Sequence, residues 1–248
     1  MKTPLLEARD LHVAFAGVTA ADGINLTIHE GEFLAIIGPN GSGKTTFLNL
    51  CTGYVRPLGG EVFLDGRPIT RLAPRAIARR GIARAFQIPQ LFTEQSLIDN
   101  LMLSIAARRG IFDGWRPLAR REHRDEALDL LALFGLTPQA HALASTLPEG
   151  LRKLADIVLA IALEPRLLLL DEPTSGVSAI ERFSLMEILM KALRQRRITA
   201  LFVEHDMDVV ERFADRVLVW EAGRVLMEGE PKMVLADPRV RRSVVGID

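Results

Sequence analysis

Nine consecutive residues in the first fifth of the chain have the types and the spacing of a phosphate-binding loop. They are Gly38, Pro39, Asn40, Gly41, Ser42, Gly43, Lys44, Thr45 and Thr46. Glycines let the backbone fold around an anion with its N–H groups pointing inward, and the helix predicted to follow adds its positive N-terminal end. The Lys44 ammonium is placed to reach the β- and γ-phosphates of a nucleotide, and the Thr45 hydroxyl to ligate Mg²⁺. The pattern therefore predicts a nucleotide-phosphate site.

Two acids follow an apolar strand later in the chain, because Asp171 and Glu172 come directly after Leu167–Leu170. Alone, such a pair is typical of a solvated strand end. Ligands of open α/β sheets, however, bind at the carboxyl ends of the strands, and the phosphate loop lies at that same edge. With the loop present, Asp171 is predicted to hold Mg²⁺, and Glu172 to orient the attacking water or accept its proton.

Two further polar side chains follow predicted strands. His205 comes two residues after Ile198–Val203, at the same sheet edge, where contact with a γ-phosphate is expected. Gln87 comes directly after Ile82–Phe86. A neutral amide binds Mg²⁺ and water weakly, so displacement of Gln87 would switch hydrolysis on and off.

The elements that must position these side chains indicate an α/β fold. Apolar strands that alternate with helices, such as Glu32–Ile37 and Ile198–Val203, predict a parallel sheet covered on both faces. The N-terminal strands, including a hairpin around Asp65-Gly66, predict a smaller antiparallel sheet. Helical patterns dominate from about residue 95 to 162, which predicts a helical subdomain inserted into a single domain that spans residues 1–248.

Composition excludes several classes of protein. The 248 residues are 48% hydrophobic and 25% charged, an ordinary globular mix. Lys plus Arg equals Asp plus Glu at 31 each, so net charge gives no support to nucleic-acid binding. The lone cysteine, Cys51, allows no disulfide within the chain and fits a reducing compartment. We expect neither a secretory signal nor a membrane span of roughly 18–20 apolar residues.

Together these motifs resemble the ATP-binding-cassette (ABC) ATPases, in order and over nearly the whole chain. Gly38–Thr46 resembles the Walker A loop of that family and Leu167–Glu172 resembles Walker B with its catalytic glutamate. Gln87 is similar to the Q-loop glutamine and His205 to the switch histidine, while Phe15 stands where the family stacks an aromatic ring on adenine. The resemblance implies a P-loop NTPase core with an antiparallel β-subdomain and an inserted helical subdomain.

The resemblance also implies ligands, roles and partners. ATP would contact the loop residues 38–46 together with Phe15, Gln87, Asp171 and His205. Thr45, Gln87 and Asp171 would serve Mg²⁺, and the catalytic group would be Lys44, Gln87, Glu172 and His205. A second ABC ATPase subunit and transmembrane permease subunits would be direct partners, with a solute-binding protein acting indirectly. The chain would lie at the cytoplasmic face of the inner or plasma membrane, attached through the permeases.

Finer similarity points to the ATPases of branched-chain amino-acid uptake. It rests on the long segment Ser104–Phe134 with Gly110-Ile111-Phe112, on Glu204-His205-Asp206-Met207, and on the tail Asp237-Pro238-Arg239-Val240. The implied function is hydrolysis of ATP to power an importer of branched-chain amino acids or similar small solutes. The alternatives are a catalytically weak regulatory ATP-binding subunit and a soluble ABC ATPase outside transport. Against the last, the chain has one cassette and no long heptad segment.

One family motif is degenerate. Where the family has Leu-Ser-Gly-Gly-Gln, facing the nucleotide of the other subunit, this chain has Leu147-Pro148-Glu149-Gly150-Leu151. Pro148 lacks a hydroxyl and an N–H, and Glu149 would repel phosphate if it pointed toward it. The preferred hypothesis is an asymmetric heterodimer in which this segment faces a weak second site. A homodimer with slow turnover is the alternative.

Overall fold

The computed structural model describes residues 4–15, 18–110 and 121–245. Residues 111–120 of the segment Ser104–Phe134, which include Ile111 and Phe112, lie outside the described residues. In chain order the strands are β1 (Pro4–Phe15), β2 (Val18–His29), β3 (Phe33–Ile37), β4 (Gly59–Leu64), β5 (Arg67–Pro68), β6 (Ile82–Ala85), β7 (Leu167–Asp171), β8 (Thr199–Val203), β9 (Arg216–Glu221) and β10 (Arg224–Gly229). The helices are α1 (Lys44–Cys51), α2 (Pro74–Arg79), α3 (Leu97–Arg108), α4 (Arg121–Leu133), α5 (Glu149–Ala162), α6 (Ala179–Gln195), α7 (Met207–Phe213), α8 (Pro231–Ala236) and α9 (Pro238–Val245).

A small antiparallel sheet is formed by the N-terminal strands, in the order β2-β1-β4-β5 within the described residues. The β4–β5 turn places Asp65 and Gly66 at φ 53° and 69°, the left-handed pair that a type I′ hairpin requires and that the sequence predicts. β1 and β2 are each 12 residues long, and register shifts between them absorb the breaks in their apolar alternation.

The main sheet has the order β10-β9-β3-β8-β7-β6 in the part of the chain that the structure describes, and only β10 pairs in the antiparallel sense. β3, β7 and β8 are buried along their whole length, as their continuous apolar sequences predict. Since β6, β7, β8 and β3 are parallel neighbours, their carboxyl ends open onto one edge. The loops that carry the predicted site residues therefore emerge side by side.

The two faces of the main sheet belong to different cores. Phe33, Ala35 and Ile37 of β3 join a cluster that includes residues of α3, α4, α5 and α6. Leu34 and Ile36 face the other way and join a cluster with α1 and the antiparallel sheet. This alternation follows from the two-residue period of a strand, and it places α1 and the helical segment on opposite faces of one sheet.

Helices occupy the chain between β6 and β7, where a helical subdomain at 95–162 is predicted. α3 packs against both α4 and α5, and two 3-10 turns, Thr137–Gln139 and Ala144–Thr146, lead into α5. The domain and subdomain boundaries stay predictions. Among the described residues, no helix combines the length and the apolar character that a membrane crossing requires.

Candidate active site

The loop between β3 and α1 has a backbone that only glycine accommodates at two positions. A β-carbon placed on Gly38, at φ 150°, would come within 2.0 Å of the Trp220 carbonyl oxygen. One placed on Gly43, at φ 114°, would come within 2.0 Å of the Ala20 carbonyl oxygen. The glycines of the motif are therefore required by close approach of β2 and β9 as well as by the bend of the loop.

The helix that follows is arranged to attract an anion. α1 has Gly43 at its N-cap without a side-chain cap, and no acid in its first turn, so the N–H groups of that turn have no intrahelical acceptor. The buried Lys44 ammonium donates to the carbonyl oxygens of Gly38 and Pro39, at 2.7 and 2.8 Å. Burial lowers the pKa of Lys44, while the nearby carboxylates of Glu172 and Asp171 oppose that shift. The loop thus combines backbone donors and a cation, the chemistry that polyphosphate requires.

Other residues of the loop support the same fit. Asn40 and Gly41 are exposed, and Thr46 is half-buried in the first turn of α1. The buried Ser42 hydroxyl has no hydrogen-bond partner among the described residues. A buried hydroxyl of this kind is ordinarily satisfied, and here it lies inside a loop that would wrap phosphate oxygens.

A buried ion pair holds the first acid. Asp171, at the end of β7, accepts from Arg84 Nη2 at 2.6 Å through one carboxylate oxygen. Its other oxygen lies 3.4 Å from the Thr45 hydroxyl. Arg84 also donates to Asn49 Oδ1 of α1 at 2.6 Å. Thr45 and Asp171 therefore present two oxygen donors side by side, the hard ligands that Mg²⁺ prefers.

The second acid is held between two of the predicted site residues. Glu172 Oε2 accepts from Gln87 Nε2 at 2.7 Å, and Glu172 Oε1 lies 2.9 Å from His205 Nε2. Three strand ends, those of β7, β6 and β8, contribute one side chain each. Glu172 itself adopts φ 52°, a left-handed conformation that is uncommon for a residue with a side chain.

Two of the predicted roles concern ligands rather than contacts between side chains of this chain. The Gln87 amide bonds Glu172 and not Thr45 or Asp171, so its role as an Mg²⁺ ligand stays a prediction. Phe15 is 47% exposed at the end of β1. The β1–β2 hairpin that carries it reaches the loop through Ala20, next to Gly43, and adenine stacking on Phe15 stays a prediction as well.

Several supporting residues were missed by sequence reasoning. Asp156 of α5 accepts from the N–H groups of Phe86 and Gln90, at 3.0 and 2.9 Å, and so fixes the backbone on both sides of Gln87. Glu204 accepts from the N–H and hydroxyl of Thr174, at 3.0 and 2.8 Å. Burial raises the pKa of both carboxyls, and their hydrogen bonds oppose that shift. The sequence feature that could have identified such residues is a charged residue inside an apolar run, as with Arg84 in β6 and Asp156 in α5.

The degenerate segment lies at the start of α5. Pro148 is the N-cap residue and Glu149 is the acid of the first turn, without a side-chain cap. The Glu149 carboxylate lies against the loop after β7, since a β-carbon placed on Gly176 would come within 2.5 Å of Glu149 Oε1. The carboxylate therefore faces this chain's own loop.

Comparison with known proteins places the chain among relatives of one kind. A family model described as "ABC transporter" matches residues 21–175. The chain is 35% identical over 256 residues to the high-affinity branched-chain amino acid transport ATP-binding protein BraF of Pseudomonas aeruginosa, with 99% of each chain covered. It is 34% identical over 253 residues to the corresponding protein LivG of Escherichia coli K12, again with 99% of each covered.

A solved structure is similar over the same extent. The ADP conformation of MJ1267, an ATP-binding cassette of an ABC transporter, superposes with a TM-score of 0.87 at 29% identity, and covers 99% of this chain and 100% of its own.

Proposed function

The chain belongs to the ABC transporter family as an ATP-binding, ATP-hydrolysing subunit, and we propose that it powers the uptake of branched-chain amino acids or similar small solutes. The relatives BraF and LivG, which match over nearly their full length, are named for branched-chain amino acid transport. Similarity over nearly the full length supports the proposal that this chain serves transport of the same class of solute.

In the proposed mechanism, the loop and α1 bind the phosphates of ATP. N–H groups of residues 38–46 and the Lys44 ammonium would donate to the β- and γ-phosphate oxygens, and Phe15 would stack on adenine. Thr45 and Asp171 would hold Mg²⁺, which fits their paired oxygens and which supplies positive charge to the phosphates when bound. The protein contributes mainly position and electrostatic stabilisation.

The observation that supports the proposed mechanism of ATP hydrolysis is the position of Glu172 between Gln87 and His205. A carboxylate 2.7 Å from an amide nitrogen and 2.9 Å from an imidazole nitrogen has its orientation fixed on both oxygens. From there Glu172 would orient the attacking water and accept its proton. His205 would donate a hydrogen bond to the γ-phosphate. Gln87 would bind Mg²⁺ and the attacking water weakly, so its displacement would switch hydrolysis on and off.

Replacing Glu172 tests this assignment. Glu172→Gln keeps the size and one acceptor of the side chain but removes its basicity. We expect ATP to bind normally while hydrolysis falls roughly 10²–10⁴-fold, the range typical of a lost general base. Equilibrium nucleotide binding gives the affinity for ATP and phosphate release gives the rate of hydrolysis, both measured on the chain with its partner subunits.

A matched control is Glu211→Gln, because Glu211 is an exposed acid on α7 outside the site. It should leave both binding and hydrolysis unchanged. Unaltered hydrolysis in Glu172→Gln would remove Glu172 from the mechanism. Wild-type chain that binds ATP but never hydrolyses it, even with its partners, would favour the regulatory subunit instead.

The proposed ATPase partner is a second, different ABC subunit. The N-terminus of α5 has Pro148 and Glu149 where the family presents small polar residues to the other subunit's nucleotide. In an asymmetric pair, this chain's loop and Glu172 would meet an intact partner segment. Glu172→Gln with Mg-ATP should then stay monomeric alone and dimerise only when the partner is added. Dimerisation of the chain alone would support the homodimer.

A groove beside Gln87 is the proposed docking place for a permease. A cavity of about 440 Å³ lies between α2, β6 and the end of α5, lined by Tyr54, Arg75, Phe86 and Leu163 among others. Tyr54 is 60% exposed, and Ile88, which follows Phe86 by two residues in the chain, is 74% exposed. Aromatic and aliphatic side chains beside an arginine fit an amphipathic cytoplasmic segment with an acidic end. Such docking would hold the chain at the cytoplasmic face of the membrane.

Charge reversal at the groove tests the docking. Arg75→Glu should abolish copurification with the permease subunits while ATP binding by the isolated chain is unchanged, because the exposed Arg75 lies outside the phosphate loop. Lys191→Glu, on the exposed side of α6, is the control and should copurify normally. Normal copurification of Arg75→Glu would exclude this groove.

A further inference from the structure

Lys153 is a buried cation with no assigned role. It lies in the second turn of α5, is 5% exposed, and has no carboxylate within ion-pair distance among the described residues. Lysine is rarely buried to this extent unless its charge is satisfied. Burial lowers the pKa of Lys153, and the surrounding carboxylates of Glu149, Glu172 and Glu204 oppose that shift.

The Lys153 ammonium is directed at the backbone that follows β7. Its Nζ donates to the carbonyl oxygen of Ser175 and lies 3.4 Å from the carbonyl oxygen of Glu172. Both carbonyls belong to one loop, and one of them belongs to the residue proposed as the general base. No other cation of the described residues donates to either carbonyl.

That loop is in a conformation that requires support. Glu172 has φ 52°, which costs energy for a residue with a side chain and persists only where neighbours fix it. Its N–H donates to the Val203 carbonyl at 3.0 Å, and its own carbonyl accepts from the Ser175 N–H at 3.2 Å. Lys153 adds a charged donor on the carbonyl side, from a different element.

We propose that Lys153 is a positioning residue for Glu172, which ties α5 to the catalytic loop and so holds the carboxylate in register with Gln87 and His205. This rests on the proposed function of Glu172 and deepens it. Because a displacement of about 1 Å at a reacting group costs roughly a hundredfold in rate, loss of this tie would slow hydrolysis without weakening ATP binding through α1.

The Glu149 carboxylate sits beside the same junction. It lies against Gly176, one residue after Ser175, and a side chain at Gly176 would collide with it. Glu149 and Lys153 are one helical turn apart, so both side chains project from the same face of α5. The start of α5 is therefore packed on this chain's own catalytic loop.

The test compares Lys153→Met with the control Arg152→Met. Arg152 is the neighbouring, half-buried cation of α5, and its side chain makes no hydrogen bond or ion pair among the described residues. ATPase kinetics are measured on the transporter assembled with its partner subunits. For Lys153→Met we expect kcat to fall about tenfold or more with KM for ATP within about twofold, the pattern of an interaction that acts only on the chemical step. Arg152→Met should match wild type.

The conservative variant separates positioning from packing. Lys153→Arg keeps the charge and the donors, and should restore kcat to within about threefold of wild type. If Lys153→Met does not fold, Lys153→Gln, which keeps N–H donors but has no charge, replaces it and should give an intermediate kcat. An unchanged kcat, an equal fall in Arg152→Met, or an effect confined to KM would overturn the proposal.

A double-variant cycle distinguishes positioning of Glu172 from a purely structural role. Its readout is whether the effect of Lys153→Met on hydrolysis depends on Glu172. Lys153→Met should slow single-turnover hydrolysis in the wild-type background and add little in the Glu172→Gln background, because it acts through Glu172. Equal factors in both backgrounds would contradict that. If Glu172→Gln keeps full activity, the proposed role of Glu172 fails. If Glu172→Gln is inactive while Lys153→Met is normal, only the role of Lys153 fails.

Discussion

Two helix N-termini of this chain are opposite in charge, although the family resemblance assigns both to phosphate. α1 begins after Gly43, has no acid in its first turn, and leaves its N–H groups and Lys44 facing the loop. α5 begins after Pro148 and has Glu149 in its first turn. The glutamate lies against the loop that carries the chain's own catalytic residue.

The difference shows what an acid at a helix N-terminus does. A carboxylate in the first turn stabilises the helix itself, by about 0.3–1 kcal/mol, because it complements the helix dipole. The same charge cancels the attraction that a free N-terminus exerts on an outside anion. The N-terminus of α1 is therefore free to attract an anionic ligand, whereas the N-terminus of α5 interacts with the carboxylate of Glu149 in the same chain.

The largest expected effect comes from giving α1 the acid that α5 has. Thr46→Glu places a carboxylate in the first turn of α1, where phosphate would bind. Repulsion between unit charges at about 4 Å is roughly 4 kcal/mol at an effective dielectric of about 20, and Thr46 is half-buried. We expect Kd for ATP to rise about a hundredfold or more, with the unliganded protein at least as stable as wild type, because the new acid also complements the dipole of α1.

Titration with ATP and thermal unfolding without it measure the two sides of this prediction. Thr46→Gln, which has the same length without the charge, should bind ATP far better than Thr46→Glu. Equal affinity of the two variants would mean that the charge of the first turn does not distinguish α1 from α5.

A smaller effect is expected from removing the acid of α5. Glu149→Gln takes away the favourable interaction with the helix dipole, so the free energy of unfolding should fall by about 0.3–1 kcal/mol. For a chain of this size that lowers Tm by roughly 1–4 °C. ATP affinity of the chain alone should not change, since the Glu149 carboxylate lies beside Gly176 and not beside α1.

Calorimetry measures the free energy of unfolding of Glu149→Gln and of Glu211→Gln, which make the same chemical change. Glu211 is exposed near the end of α7, where no N-terminal dipole acts on it. A Glu149→Gln variant with unchanged or higher stability would show that Glu149 is not engaged with its own helix.

Local sequence was sufficient for much of the site. The phosphate loop, the apolar strands before Asp171 and His205, and the Asp65-Gly66 turn are each defined by neighbouring residues, and the structure forms the predicted loop, strands and hairpin. Arg84 and Lys153 could not be assigned this way. The partners of Arg84, Asn49 and Asp171, lie 35 and 87 residues away along the chain, and the two carbonyl partners of Lys153 lie 19 and 22 residues away.

The sequence by itself determined the α/β class, the loop chemistry and the list of polar residues at strand ends, because period and turn chemistry are local properties. Only the tertiary structure decided which of those residues meet. The strands follow one another in the chain as β3, β6, β7 and β8, yet lie in the order β3-β8-β7-β6. Glu172 contacts both Gln87 and His205 because β7 lies between β6 and β8, an order set by how the apolar faces of the sheet are covered.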